Sequence, residues 1–181
     1  MRYLFSILFS CIFLCSYSQD DNPEITQGVF YKLSIAGTLT TNEDIDLSDE
    51  YNDNLFEFNA LFFNAGVGYQ FDSRTSIGFN FEYANHRREG LLFFPAYLSF
   101  RYNIIKNDDN VFLRGSYGKL LNIDRSFESG NLYKLGAGYQ IFDSDYRNSF
   151  LIGVDFTRKR FGFRQLDAIS SVSVFLEFQF F

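Results

Sequence analysis

Few residues of this chain have the types and spacing that catalysis requires. The single histidine, His86, stands in the run His86-Arg87-Arg88-Glu89, and no serine stands two positions after it. A serine hydrolase would need a nucleophile, a histidine base and an acid close together. The sequence also lacks a glycine-rich phosphate loop, paired catalytic carboxylates and a cluster of metal ligands. We therefore interpret His86 as a surface loop residue and expect no enzyme, with no catalytic, cofactor or metal site.

Charged residues cluster instead in one acidic and two basic segments. The acidic segment contains Glu43, Asp44, Asp46, Asp49, Glu50 and Asp53, and the basic segments contain Arg87 and Arg88, and Arg158, Lys159, Arg160 and Arg164. Calcium is conceivable in the acidic segment because hard cations prefer oxygen ligands, but the Asp-x-Asp-x-Asp-Gly order is absent. The alternatives are a solvated acidic loop and ion pairs between the segments, which would contribute about 0–1 kcal/mol each.

These segments connect stretches in which apolar and polar side chains alternate with the period of a β-strand. Eight such stretches follow residue 27. They are Gly28 to Thr40, a second that ends at Phe71, Thr75 to Ala84, Leu91 to Ile104, Val111 to Leu121, Asn131 to Phe142, Ser149 to Thr157 and Ile169 to Phe181. The apolar faces contain no charged residue. Three short connections alternate with four longer ones, which predicts antiparallel neighbours joined in chain order.

Composition excludes several classes of protein. The chain has 181 residues with 25 Phe, 12 Tyr and no Trp, yet 21% of its residues are charged and its net charge is -6. A disordered acidic chain could not contain so much aromatic surface. A helical membrane protein would need apolar segments of about 20 residues, and none follows residue 19. An acidic chain without a basic face is also a poor candidate for binding nucleic acid.

The first 18 residues have the pattern of a secretory signal peptide. Met1-Arg2 precedes the apolar run Leu4 to Leu14, and Ser16-Tyr17-Ser18 supplies small residues before a cut ahead of Gln19. Cleavage there would remove Cys11 and Cys15, so we expect no disulfide and no thiol chemistry in the mature chain. We predict a cleaved signal over residues 1–18, a periplasmic lead over 19–27 and one barrel domain over 28–181.

Tyrosines near the ends of the stretches indicate a membrane. Four of them share one level and three share the other: Tyr31, Tyr69, Tyr102 and Tyr139, then Tyr83, Tyr117 and Tyr133. Two aromatic girdles that bound an apolar band are typical of a transmembrane barrel. The alternative is a soluble barrel, which would turn its apolar face inward. We predict an all-β fold, an eight-stranded antiparallel up-and-down transmembrane β-barrel with short periplasmic turns.

At this point the sequence resembles the small eight-stranded outer-membrane β-barrel proteins of Gram-negative bacteria, a porin-like family. The resemblance rests on the hairpin from Gly66 to Phe79, on its echo Gly136-Ala137-Gly138-Tyr139-Gln140 and on the final strand. It implies an outer-membrane location and a C-terminal aromatic residue that the barrel assembly machinery reads. The alternating apolar residues lead back from Phe180 rather than Phe181, so either one could be that residue.

The polar faces of the stretches should line the interior. The charged members of that face are Lys32, Glu82, Arg101, Arg114, Lys134, Asp155 and Glu177. Eight strands leave an interior just wide enough for side chains to fill, and unpaired buried charges cost several kcal/mol. We therefore expect a paired network that plugs the lumen, with an ion path as the alternative. Strand adjacency predicts the pairs Lys134 with Asp155 and Lys32 with Glu177, and we expect Arg101 and Arg114 to reach toward Glu82.

The basic segments admit a second hypothesis besides inter-loop ion pairs. Arg87, Arg88, Arg158, Lys159, Arg160 and Arg164 would bind phosphates of lipopolysaccharide, because arginine makes bidentate contacts with phosphate. We predict a monomeric barrel with a structural or surface-interaction role in the cell envelope, with outer-membrane lipid and lipopolysaccharide as partners. The alternatives are a narrow channel for small solutes or ions and an enzyme that modifies lipid A.

Overall fold

The computed structural model describes residues 27–41, 56–86, 90–106, 109–124, 127–144, 146–163 and 166–181. This part of the chain forms nine β-strands. They are β1 Gly28–Thr41, β2 Phe56–Gln70, β3 Thr75–His86, β4 Leu91–Phe93, β5 Pro95–Lys106, β6 Asn110–Leu120, β7 Gly130–Phe142, β8 Asn148–Phe163 and β9 Leu166–Phe180. Within the same ranges, no helix has the length and apolar character needed to cross a membrane. The expected signal peptide and the acidic segment lie outside the described residues.

The strands close into an antiparallel barrel. Successive strands pair in chain order, and β1 pairs with β9 from Tyr31 opposite Phe180 to Thr40 opposite Ser171. Both β4 and β5 pair with β3, so they are consecutive parts of the fourth barrel strand. The described chain is therefore a closed eight-stranded up-and-down barrel, and the predicted fold class is confirmed.

The fourth barrel strand is interrupted at Phe94, immediately before Pro95. Proline has no N–H to donate to a neighbouring strand, which weakens the ladder at this position. The connection after β6 covers the exposed edge of β4. Its Glu128 N–H donates to the carbonyl of Leu92 at 3.3 Å, and the Leu121 N–H donates to Phe94 at 3.0 Å. At this interruption, backbone carbonyls of the fourth barrel strand therefore accept hydrogen bonds from a loop rather than from a neighbouring strand.

The outward face of the barrel is apolar. One exposed apolar side chain from each barrel strand illustrates it: Leu33, Phe63, Phe79, Leu98, Leu113, Leu135, Ile152 and Leu176. Leu135 is 68% exposed, while the charged Glu82 of the inward face is 1% exposed. A soluble barrel has the opposite arrangement. Exposed tyrosines lie near both ends of this wall, and the rings of Tyr117 and Tyr133 are 5.2 Å apart.

The hairpin of β8 and β9 is longer than its sequence pattern predicts. The predicted loop from Arg158 to Ala168 is wrong, because Arg158 pairs with Ser170 and Arg160 pairs with Ala168. Three consecutive basic residues resemble a solvated loop, but pairing with the neighbouring strands determines whether a segment becomes a strand. Alternation then turns Arg158 and Arg160 outward and Lys159 inward.

Candidate functional site

The lumen is the part of the molecule where charged side chains converge. Alternation along each strand turns every second residue inward, and the structure places all seven charged residues of the predicted network there. They separate into two groups along the barrel axis. The lower layer, toward the ends of the described chain, contains Lys32, Arg101, Arg114, Asp155 and Glu177. The upper layer, toward the β3–β4 connection, contains Glu82 and Lys134, and Lys159 joins it.

Arg114 organises the lower layer. Its Nε donates to Asp155 Oδ1 at 2.8 Å and a second guanidinium nitrogen contacts Oδ2 of the same carboxylate, which makes a bidentate pair. Its Nη1 lies 3.1 Å from Glu177 Oε2, and Lys32 Nζ lies 3.6 Å from the same oxygen. Strand adjacency predicts this Lys32–Glu177 pair. The guanidinium also lies 3.7 Å from the ring centre of Phe175, a cation–π contact.

A glycine makes room for this pair. Gly136 stands opposite Asp155 in the β7–β8 ladder. A Cβ atom at Gly136 would collide with the Asp155 carboxylate and lie only 3.0 Å from the carbonyl of Val154. The glycine-rich inward pattern of β7 therefore provides the space in which the carboxylate receives Arg114.

Arg101 has neutral partners. Its Nη1 donates to Gln179 Oε1 and its Nη2 donates to Gln70 Oε1, each at 2.9 Å. Arg101 and Arg114 are direct neighbours in the β5–β6 ladder, as their positions predict. The expectation that both reach toward Glu82 is wrong. Glu82 lies in the upper layer, away from both arginines. The two guanidinium groups have separate acceptors, which are Gln70 and Gln179 for Arg101 and Asp155 and Glu177 for Arg114.

Glu82 is the carboxylate of the upper layer. Its Oε2 contacts Lys134 Nζ and accepts a hydrogen bond from the Tyr97 hydroxyl at 3.3 Å, and its Oε1 lies 3.7 Å from Lys159 Nζ. The expected pair of Lys134 with Asp155 is therefore wrong. In the β7–β8 ladder Lys134 stands opposite Thr157 rather than Asp155, and it reaches across the lumen instead.

Lys159 and His86 are both lumen residues, which corrects two predictions. Lys159 is 1% exposed and cannot serve as a loop contact for lipopolysaccharide, and His86 is 0% exposed at the end of β3 rather than in a surface loop. Their Nζ and Nε2 atoms are 3.1 Å apart. Because an ammonium group only donates, His86 Nε2 acts as the acceptor in this contact. The ring of Phe62 lies 3.9 Å from the ammonium.

An apolar cluster surrounds Lys159 and His86 and fills the described upper end of the lumen. We call it the apolar cap; its large members, besides the Tyr97 that contacts Glu82, are Phe62, Leu91, Phe93, Leu120, Leu132, Phe161 and Ile169. The ring centres of Phe93 and Phe161 are 5.0 Å apart, and those of Phe93 and His86 are 5.3 Å apart. The sequence pattern ends β3 at Ala84 and β8 at Thr157, which leaves His86 and Phe161 outside the predicted strands. Continuing the alternation of β8 from Asp155 through Lys159 would have turned Phe161 inward.

Little space remains between the charged side chains of the lower layer. A cavity of about 10 Å³ lies between Phe30, Lys32, Ser76, Gly78, Ser99, Arg101, Arg114 and Glu177. That is room for about one water molecule. Among the described residues, no group of three or more His, Cys, Asp or Glu side chains is arranged to hold a metal ion. The described lower layer connects the strands from inside and leaves no space for a substrate between its charged side chains.

The remaining predicted residues lie at the barrel surface or outside the described ranges. Arg158 and Arg160 are exposed on the outward face of β8, and Arg87, Arg88 and Arg164 lie outside the described residues. The Phe180 ring stacks on Tyr31 at 5.7 Å, while Phe181 packs against Phe30 at 5.6 Å and donates its N–H to Arg147. The role of these two phenylalanines in barrel assembly stays a prediction.

Comparison with solved structures identifies barrels of the same architecture. Neisserial surface protein A is similar with a TM-score of 0.58 and 8% sequence identity, over 86% of this chain and 97% of that one. The N-terminal β-barrel domain of Pseudomonas aeruginosa OprF gives a TM-score of 0.51 and 9% identity, over 86% and 100%. Both are eight-stranded outer-membrane β-barrels, so the predicted resemblance in fold is confirmed. No protein-family model and no curated protein matches the sequence.

Proposed function

We propose that this protein is an integral barrel of the Gram-negative outer membrane whose lumen is closed, and that its role is structural or is exercised through its surface. The observation that carries the proposal is the contrast between the two faces of the same strands. The outward face is apolar, and the inward face is a network of ion pairs beneath the apolar cap. In such a lumen a buried charge that lost its partner would cost several kcal/mol, so the network favours the one barrel geometry in which these charges are paired.

The location is supported by the two structural neighbours, both of which are outer-membrane barrels. The expected orientation places the short turns and the last residues of the chain in the periplasm. Separation of cell envelopes on a sucrose gradient tests the location. We expect the protein in the outer-membrane fractions, and recovery in the inner-membrane fractions would contradict the proposal.

Planar-bilayer recording tests the closed lumen against the alternative of a narrow channel. We expect no stable conductance from the purified wild-type protein. The double variant Arg101→Ala and Arg114→Ala removes two guanidinium groups from the lower layer and should produce brief, irregular openings at most, because the apolar cap remains. Arg147→Ala is the control, since Arg147 is exposed in the β7–β8 turn, outside the lumen. A large and stable wild-type conductance would overturn the proposal.

We propose no enzymatic activity. The candidate base that the sequence offers, His86, lies among the side chains of the apolar cap, opposite Leu91 in the β3–β4 ladder. It contacts Lys159 and is enclosed by Phe62 and Phe93. A lipid substrate could not approach it without displacing that cap. Incubation with lipid A followed by mass spectrometry should show no change in the lipid. A modified lipid that disappears with His86→Ala would identify the protein as an enzyme.

Biogenesis would depend on the C-terminal aromatic residues. Phe180 continues the outward apolar row of β9, whereas Phe181 turns toward Phe30. We propose that Phe180 is the residue that the assembly machinery reads. Phe180→Ala should lower the amount of folded barrel in the outer membrane more than Phe181→Ala does, and the reverse order would assign the role to Phe181.

A further inference from the structure

The outward wall carries three cations close together at one side of the upper rim. The upper rim is the end of the barrel beyond the tyrosines Tyr83, Tyr117 and Tyr133. Lys119 on β6, Arg158 on β8 and Arg160 on β8 are all exposed there. We call these three side chains the rim cations. None of them belongs to the lumen network, and the proposed structural role does not use them.

Strand pairing places the rim cations in two adjacent rows. Lys119 pairs with Asn131, which pairs with Arg160, so these residues form one row across three strands. The next row toward the middle of the wall is Tyr117, Tyr133 and Arg158, and the one below it is Gly115, Leu135 and Phe156. Two strand spacings separate Lys119 from Arg160, about 10 Å, and two residues separate Arg158 from Arg160, about 7 Å.

The order of these rows matches the depth profile of a membrane. An apolar row meets hydrocarbon, a tyrosine row lies at the interface and a row of cations lies at the level of lipid headgroups. Arg158 lies deepest of the three rim cations, because it pairs with Tyr133 in the tyrosine row and not with a residue of the row beyond it. A cation on the lipid-facing side at that depth is unfavourable unless an anion meets it or its long side chain reaches the headgroups.

Charge distinguishes this side of the described rim from the neighbouring side at β3 and β4. In the described residues of the two cation-bearing rows, no carboxylate occurs on the strands from β5 to β8. On β5 these rows end in Ala96, opposite Lys119, and Leu98, opposite Tyr117. On that neighbouring side the connection after β6 lies against β4 and brings aromatic rings together, and its described carboxylates are Asp124 and Glu128. Phe127 packs there against Tyr83 and Phe94, with ring centres 6.5 and 6.3 Å apart. Among the described rows of the wall, those of β6 to β8 therefore offer a ligand with several negative charges three cations and no carboxylate.

We propose that the rim cations bind the headgroup of an outer-leaflet lipid that carries at least two phosphate groups, the class to which lipid A belongs. The three positive charges lie within about 10 Å of one another, and one phosphodiester would neutralise only one of them. Each phosphate monoester carries between one and two negative charges at neutral pH, so two monoesters match the three cations. Arginine can grip such groups through two nitrogens, and lysine adds a point charge. The Tyr117 and Tyr133 rings pack beside the first acyl carbons.

This proposal rests on the proposed outer-membrane location, but its test does not. The purified barrel is placed in detergent micelles with bisphosphorylated lipid A, with phosphate-free lipid A or with phosphatidylglycerol, and native mass spectrometry counts bound lipid. We expect wild type to bind bisphosphorylated lipid A at least about tenfold more tightly than the triple variant Lys119→Gln, Arg158→Gln, Arg160→Gln, because each charge-assisted contact is stronger than a neutral one.

The control is the double variant Arg74→Gln and Arg147→Gln, which removes exposed cations from the opposite end of the barrel. It should bind as wild type does. Equal binding by wild type and the triple variant would overturn the proposal, as would equal binding of phosphatidylglycerol or phosphate-free lipid A. Heat-dependent mobility in gel electrophoresis verifies that each variant is a folded barrel. A protein that binds the lipid in micelles but fractionates with the inner membrane would refute the location and leave the site standing.

Discussion

The two layers of the lumen use opposite means to bury charge. In the lower layer, Arg114 joins two carboxylates and Arg101 joins two amides, so nearly every guanidinium nitrogen has an acceptor in fixed geometry. The upper layer has one carboxylate, Glu82, for the two lysines Lys134 and Lys159. Aromatic rings and the apolar cap surround these lysines. The lower layer pairs its charges through directed hydrogen bonds, whereas the upper layer surrounds an incompletely paired set of charges with aromatic and apolar side chains. The two layers should therefore respond differently to substitution.

Glu82→Gln should produce the largest effect, because it leaves both upper lysines without a charged partner. Removal of one partner from a buried pair typically costs about 3–5 kcal/mol, and two ammonium groups are affected here. We expect urea unfolding in lipid vesicles to show a loss of at least that size. The double variant Glu82→Gln with Lys159→Met should recover part of it. An unchanged midpoint for Glu82→Gln would mean that Glu82 does not pair with these lysines.

Asp155→Asn tests the lower layer. It replaces a bidentate carboxylate with an amide, but Arg114 keeps Glu177 at 3.1 Å, so we expect a smaller loss of about 2–3 kcal/mol. Gly136→Ala should act in the same direction, because its Cβ would displace the Asp155 carboxylate. A loss for Asp155→Asn that exceeds that of Glu82→Gln would reverse the comparison between the layers.

Phe93→Ala tests whether enclosure holds the upper layer. The ring packs on Phe161 and His86 and lies 5.2 Å from Lys159 Nζ. Truncation of a buried Phe elsewhere costs about 3–5 kcal/mol, but a site at the barrel mouth can admit water, so we expect about 2 kcal/mol. Hydrogen exchange of the β4 and β8 amides should increase, while exchange near Arg114 stays as in wild type. Faster exchange throughout the barrel would show that the layers are not separate.

Asp72 in the β2–β3 turn gives the smallest expected effect and depends on pH. Burial raises the pKa of this carboxyl, but the Arg74 and Thr75 N–H groups donate to it at 2.7 and 2.6 Å and, together with the Thr75 hydroxyl and the Arg74 charge, hold its pKa below the ordinary value. Its contribution is therefore fully present above the unfolded pKa, near pH 4, and is lost as the pH falls through the folded value. Asp72→Asn should remove this dependence, so the difference in unfolding midpoint between wild type and variant should shrink as the pH falls below about 4.

Much of the architecture could be predicted from the sequence, because a period of two assigns each residue to the lipid or the lumen. The inward positions of Lys32 and Arg114 follow from that period alone. Their partners do not, because tilt and stagger of the strands determine which side chains meet across the lumen. Lys134 therefore reaches Glu82, 52 residues away in sequence, rather than Asp155 on the adjacent strand. The length of the last hairpin is also underestimated by the sequence pattern, which places Lys159 and Phe161 in a loop although both lie in β8.

The closed lumen is tested most directly by the reactivity of a single thiol placed inside it. Ser99 is 7% exposed and lies on the inward face of β5 between the two layers. A Ser99→Cys variant, in a chain with Cys11 and Cys15 changed to serine, is reconstituted in vesicles and treated with a small charged thiol reagent from either side. Arg160→Cys, on the outward rim, is the control and should react within minutes. We predict no labelling of the Ser99→Cys variant while the barrel stays folded; labelling at the rate of the control would show that the lumen is open.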